Sequence, residues 1–249
     1  MYKNYIYFIL SLFILTSCGG NDPVVTTPKY TEFELKIAPK IGSKSLELGK
    51  YFALSSDDSL MVSRLDFYVS HLTFFDTISN ASGTSTLYLF SQKTNDTIAY
   101  IDSSRSLKHI HKINFLAGLN DFANNANPTS FAFDHPQSTS KSMYWNEWTK
   151  YRFIIFEGEI KKKTGEKVAF SYHTGLTFKR EIEISKTIAI TQGVNNKIQL
   201  NLALDKIFYP TNSGNNLDVF NGENQGHADA SDIFITNKFL ANFSMAFGL

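Results

Sequence analysis

The sequence predicts an all-β domain, an antiparallel β-sandwich or flattened barrel with long loops and a short C-terminal helix. Three observations predict it. The chain carries 22 Phe and 12 Tyr among 249 residues, and aromatic side chains favour the pleated, half-buried surface of a strand. Roughly ten short runs alternate apolar with polar residues, or are apolar throughout, between clusters of Gly, Pro, Asn and Ser. Helical spacing appears only from Asp229 onward. Strand following strand, with one late helix, is the pattern of a sandwich or barrel.

The chain opens on an address. Lys3 is a short positive region, and Tyr5 to Leu15 is an almost unbroken apolar run, too short to span a membrane but suited to a secretory signal. The run ends in Leu15-Thr16-Ser17-Cys18, which resembles the box at which bacterial lipoproteins are cut and lipidated. Cys18 is the one cysteine in the sequence, so it has no partner for an internal disulfide. The reading is a signal peptide over residues 1–18, lipidation at Cys18, and anchoring to a membrane of the bacterial cell envelope. Residues 19–29, with two Gly and two Pro, form a flexible tether. A single domain follows over residues 30–249. Removal of residues 1–18 takes away one base, Lys3, and leaves 23 basic against 23 acidic residues. No basic surface for nucleic acid is present.

Along the domain, Phe33 to Ile37 alternates as a strand with one wet face, and Pro39 to Ser45 reads as a turn. Leu46 to Phe52 is a short strand or loop. Leu60 to Phe75 is one or two strands broken near Ser70, and Leu87 to Phe90 and Thr97 to Ile101 are short strands. His109 to Leu116 is a strand that places His109, His111, Ile113 and Phe115 on one face. The Asn-rich run 119–128 is a structured loop. Tyr151 to Phe156 has the length and content of a strand buried on both faces. Thr164-Gly165 turns it back into Val168 to His173. Ile182 and Ile184 mark a further strand, Asn195-Asn196 reads as a hairpin turn, and Lys197 to Leu204 follows. Ile233, Leu240, Phe243 and Phe247 then fall on one helical face, with Asp229 or Ser231 available to cap.

No nucleophile motif, phosphate loop or HExxH helix is present. The histidines are the remaining chemical lead. His109-x-His111 has the spacing that sets two imidazoles on one strand face, but Lys108 and Lys112 flank it as they would a solvated face. His173 ends the strand that returns from Tyr151–Phe156, and His227 precedes the terminal helix. Element ends are where β scaffolds carry their sites.

Several segments, in order, resemble the MbnP-like copper-binding domain of bacterial periplasmic proteins and lipoproteins. Met143-Tyr144-Trp145 followed by an aromatic strand ending in Glu157-Gly158 is similar to its hallmark. Leu65 to Ser70, Ile113 to Leu119 with Asp121, and His173-Thr174-Gly175 are similar to further pieces. The resemblance implies copper as the bound metal and a binding role rather than an enzymatic one. It implies His173, His227 and Trp145 as site residues, with Trp145 oxidised to kynurenine by a di-haem peroxidase-like partner, as in some members. It offers His71, which stands where members carry Asn, as a further ligand. Glu147 stands where members place a second Trp. The alternative reading is a metal-free surface module that meets a glycan or protein through Trp148 and the Asn-rich segment 120–127.

Overall fold

Alternating burial along residues 33–41 and unbroken burial over residues 153–156 separate the two kinds of strand from which this protein is built. In the computed structural model the described residues are 31–54, 57–76, 81–83, 86–94, 97–102, 108–210, 215–228 and 231–249. The signal segment, Cys18 and the tether lie outside them. The strands and helices in chain order are β1 (Thr31–Ile41), β2 (Lys44–Ser45), β3 (Tyr51–Ala53), β4 (Ser59–Phe75), β5 (Ala81–Gly83), β6 (Tyr88–Ser91), β7 (Thr97–Asp102) and β8 (His109–Ala117). Then come α1 (Asp121–Asn124), β9 (Tyr144–Asn146), β10 (Lys150–Lys161), β11 (Lys167–Gly175), β12 (Arg180–Ala189) and β13 (Asn195–Ala203). The chain closes with α2 (Asp205–Phe208), β14 (Gln225–Gly226), α3 (Ile233–Met245) and β15 (Phe247–Gly248).

Two sheets share one core, so the fold is the all-β sandwich that the sequence predicts. Among the described residues the larger sheet runs β12-β8-β4-β10-β11-β14, with β3, β5 and β6 on β4 and β9 on β10. The smaller runs β15-β13-β1-β2, with β7 on β1. Most pairings are antiparallel, but β1 pairs with β13 and β11 with β14 in parallel. The Asn195-Asn196 turn is therefore not a hairpin: β12 and β13 lie in different sheets. Asn196 braces the crossover instead, its side chain accepting from the Thr191 N–H and donating to the Thr191 and Val194 carbonyls. Nor does a turn begin at Pro39, because β1 continues to Ile41 before Gly42 (φ 58°) reverses the chain.

β4 organises the larger sheet. One edge pairs first with β10, over Ser59–Phe67, and then with β8, over Val69–Phe75. The break expected near Ser70 is real but local: a bulge with His71 at φ 53°, inside one continuous strand. A second irregularity, between β8 and β12, shifts the face of His109 and His111. Ile110, Ile113 and Phe115 are buried while His109 and His111 are exposed, so the two histidines do not share the face of Ile113 and Phe115 that the alternation predicts.

The inner face of the larger sheet meets β1, β13, α2 and α3 in the main core, where Phe156 lies within 6.2 Å of Phe170, Phe208 and Phe239 by ring centroid. The outer face of β10 is covered by the long connection 118–143. Tyr68, Leu119, Met143, Tyr151, Phe153 and Ile155 form a second cluster there. Burial on both faces explains why Tyr151–Phe156 reads as an apolar run.

Candidate metal centre

Cross-strand register brings the site together. The hairpin from β10 to β11 pairs Ile155 with His173 and Glu157 with Ser171. Since Ile155 belongs to the outer cluster, His173 and Ser171, two residues apart on β11, face the same outer side. β14 then joins β11 in parallel, pairing Tyr172 with Gly226, and the next residue, His227, falls beside His173. The approach needs the bare backbone of Gly226, where a Cβ would lie 3.2 Å from Thr236 Oγ1 and 3.3 Å from the Tyr172 ring. The β9–β10 hairpin folds over this edge and lays Trp145 across both imidazoles.

The three rings are in mutual contact. Trp145 lies 5.8 Å from His173 and 6.0 Å from His227 by centroid, and the two imidazoles are 5.2 Å apart. Both Nε2 atoms point to the Ser171 hydroxyl, at 3.2 and 3.4 Å. Glu157 Oε1 is 2.7 Å from His173 Nε2. His227 is steadied from behind: Asp232 Oδ2 accepts from its backbone N–H at 2.6 Å and stands 3.6 Å from Nδ1. A carboxylate behind Nδ1 leaves Nε2 to act as a ligand. Burial, followed by the charge of Arg152, holds the His173 pKa below its usual value against the opposing pull of Glu157. A neutral imidazole is the form that binds metal. Arg152 also lies over the Trp145 ring at 5.7 Å and donates to the Ser142 carbonyl.

Two imidazoles aimed at one point suit copper, and the donor set fits it in part. Among the described residues no three His, Cys, Asp or Glu side chains form a ready cluster. An intact Trp145 cannot complete it, because the indole nitrogen is a donor with no free lone pair. An aromatic amine, as in kynurenine, would be a nitrogen ligand.

The structure brings three of the four residues named as metal candidates, Trp145, His173 and His227, into mutual contact. His71 is elsewhere. It contacts Ser70 and Asn120 at the β4 bulge, five residues along β4 from Asp66, the neighbour of Ile155, which is about 17 Å at strand rise. Trp148 is at the hairpin tip, 90% exposed. Ser171 was not singled out from the sequence, and Glu157 only as the end of the family-like strand and not as a site residue, although the turn at Thr164-Gly165 fixes the register that pairs them. Asp232 and Arg152 gave no signal.

The family model of MbnP matches residues 30–228. This chain belongs to the MbnP family. A solved structure, MbnP from Methylosinus trichosporium, is similar over 81% of this chain and 82% of its own, with 12% identity and a TM-score of 0.49. No curated protein matches the chain.

Proposed function

We propose that this MbnP-family protein is a lipid-anchored binding protein of the bacterial cell envelope that binds copper, and not an enzyme. His173 and His227 hold the ion through their Nε2 atoms beneath the Trp145 flap. The observation that carries this reading is the mutual contact of Trp145, His173 and His227, residues far apart in sequence. When bound, copper supplies a soft cation for imidazole nitrogen. The protein's own residues do the rest: Asp232 orients His227, burial keeps His173 neutral, and the hairpin limits water. The anchor is Cys18, which places the domain at a membrane, the outer membrane in this reading. Oxidation of Trp145 by a di-haem peroxidase-like partner would add a third nitrogen.

Anaerobic titration with Cu(I) against a chromophoric chelator tests the site. We expect a single equivalent to bind, and the His173→Ala/His227→Ala double variant to lose it; unchanged affinity in that variant rejects the assignment. Intact mass of protein from its native host tests the modification. Kynurenine at position 145 appears as loss of one carbon and gain of one oxygen. Cell fractionation of a Cys18→Ser variant tests the anchor.

A second reading has one observation behind it: Trp148 and Phe122 are each 90% exposed. Such rings could contact a glycan or protein surface. The Asn-rich segment contributes less than its composition suggests. Asn120 and Asn127 cap local turns, and Asn124 Oδ1 accepts from the Tyr151 N–H. Retention of copper no better than buffer would favour this reading.

A further inference from the structure

A second pair of imidazoles stands on β8. Ile110 and Ile113 are both buried although three residues apart, so the strand departs from alternation between them, and His109 and His111 are both exposed. The pairing with β12 shows the cause. Lys112 pairs with Ser185 and Ile110 with Ile188, so Lys186 and Thr187 together oppose His111 alone. A bulge of this kind re-aims a side chain and recurs beside functional sites. Here it turns His111 to solvent with His109, and it brings the Thr187 hydroxyl to 3.0 Å from His111 Nδ1.

The two rings lie side by side. Their centroids are 6.0 Å apart and their planes 23° from parallel. Metal–imidazole bonds of about 2 Å need nitrogens about 3 Å apart for neighbouring positions of a square, and exposed side chains reach that by turning about their χ angles. With Nδ1–H of His111 donated to Thr187, Nε2 keeps its lone pair for a metal, and the hydroxyl orients the ring as outer partners of ligating histidines do. Of the flanking cations, Lys112 is paired with Glu183 at 3.2 Å and lies over the Phe75 ring at 4.4 Å, which offsets its charge. Lys108 and Lys186 are exposed, where water and salt screen them.

The geometry points to a second metal site, in which His109 and His111 chelate one Cu(II) ion through imidazole nitrogen and water completes the coordination. Two imidazoles with oxygen are a donor set for tetragonal Cu(II), and Cu(II) stands above nickel and zinc in affinity for such sites. β4 and β10 separate β8 from β11, three strand spacings of about 4.8 Å each, so no single ion bridges this pair and His173. The site does not rest on the copper reading of His173 and His227. Open to solvent, it takes up and releases its ion without movement of the fold, which suits exchange rather than storage.

Titration of the tag-free His173→Ala/His227→Ala protein with Cu(II), in competition with glycine and read by paramagnetic resonance, tests the site. One equivalent is expected, with coupling to two imidazole nitrogens. Adding His109→Asn and His111→Asn is expected to lower the affinity by about 100-fold or more, since losing ligands costs more than losing an outer partner. The melting temperature should stay unchanged, because both side chains are exposed. Thr187→Val is expected to weaken binding by about 10-fold, and Thr187→Ser to retain it. The same two asparagines in the otherwise unaltered protein should remove one Cu(II) equivalent, a readout that does not depend on how the His173 variant folds. Undiminished affinity in the asparagine proteins, coupling to a single nitrogen, or no Cu(II) retained against glycine overturns the site. Tighter binding of Zn(II) overturns the choice of metal, and equal affinity in Thr187→Val overturns the role of Thr187. The Cu(I) titration of His173 and His227 can fail without touching this result, and this one without touching that.

Discussion

His173 and His227 illustrate how far a single residue's chemistry depends on its neighbours. Of the six histidines in the sequence, these two have carboxylates and a shared hydroxyl placed around them. His135, by contrast, stacks on Phe131 at 4.0 Å and accepts from the Gln137 N–H, a local structural role. The environment of His173 has a pH consequence. Its folded-state pKa lies below the ordinary value of 6.5, so below that pH the unfolded chain binds a proton that the folded one refuses. That stability is fully present above about 6.5 and is lost as pH drops from there through the lowered folded value. Thermal melts of the metal-free protein between pH 7 and 5 should show this fall, and His173→Asn should reduce it. Asp232 tests the opposite side of the site. With Nδ1 of His227 no longer held by a full charge, Asp232→Asn is expected to weaken copper binding by about 10-fold, the usual size of an outer-shell effect. Equal affinity in a competition titration would place Asp232 in the turn's architecture alone.

At the scale of elements, the site is a product of three strand pairings. The hairpin sets Glu157 against Ser171, the parallel pairing delivers His227, and the short β9 hairpin delivers Trp145. Gly158 makes the first of these possible. It sits at the β10–β4 bulge, where a Cβ would come within 2.1 Å of the Met61 carbonyl and 2.6 Å of the Phe170 ring. Gly158→Ala should therefore cost about 3 kcal/mol or more in urea unfolding, at the upper end for overpacking. It should also disturb Glu157 and with it the His173 contact. The terminal helix shows a related economy. Its N-cap residue is Asp232, not Ser231 (Asp229 lies outside the described residues), and its carboxylate does not cap the helix. That carboxylate accepts from the His227 N–H and from Thr236 Oγ1, so the start of α3 and the turn that carries His227 are one hydrogen-bonded unit.

Across the whole molecule, the larger sheet has two covered faces with different jobs. The inner face is a large aromatic core that joins both sheets to α2 and α3. The outer face carries the small cluster under the 118–143 connection, and the pair His173 and His227 lies at its edge. Damage to the two should be separable. Phe156→Ala, at the inner face, is expected to cost about 4 kcal/mol of global stability, measured by denaturant, with the site residues themselves untouched. A fall in copper affinity before any loss of stability would contradict that separation.

The sequence by itself determined the elements whose signal is local. Phe33–Ile37 alternates because one face is buried, Tyr151–Phe156 is apolar because both are, and α3 buries Leu240 and Phe243 of the face the sequence marks, while Ile233 is exposed and Phe247 falls in β15. It also named Trp145, His173 and His227, through resemblance of short ordered segments. Only the tertiary structure decided what depends on partners distant in the chain. Asn195-Asn196 looks like a hairpin turn until β13 is seen beside β1; His71 looks like a ligand until β4 carries it along the sheet from the site; Asp232 and Arg152 carry no signal in the sequence, and only the fold sets one beside His227 and the other over the Trp145 ring. The physical reason is that burial writes its period into each strand's own residues, whereas register and crossover are settled by contacts between strands, which no single strand records.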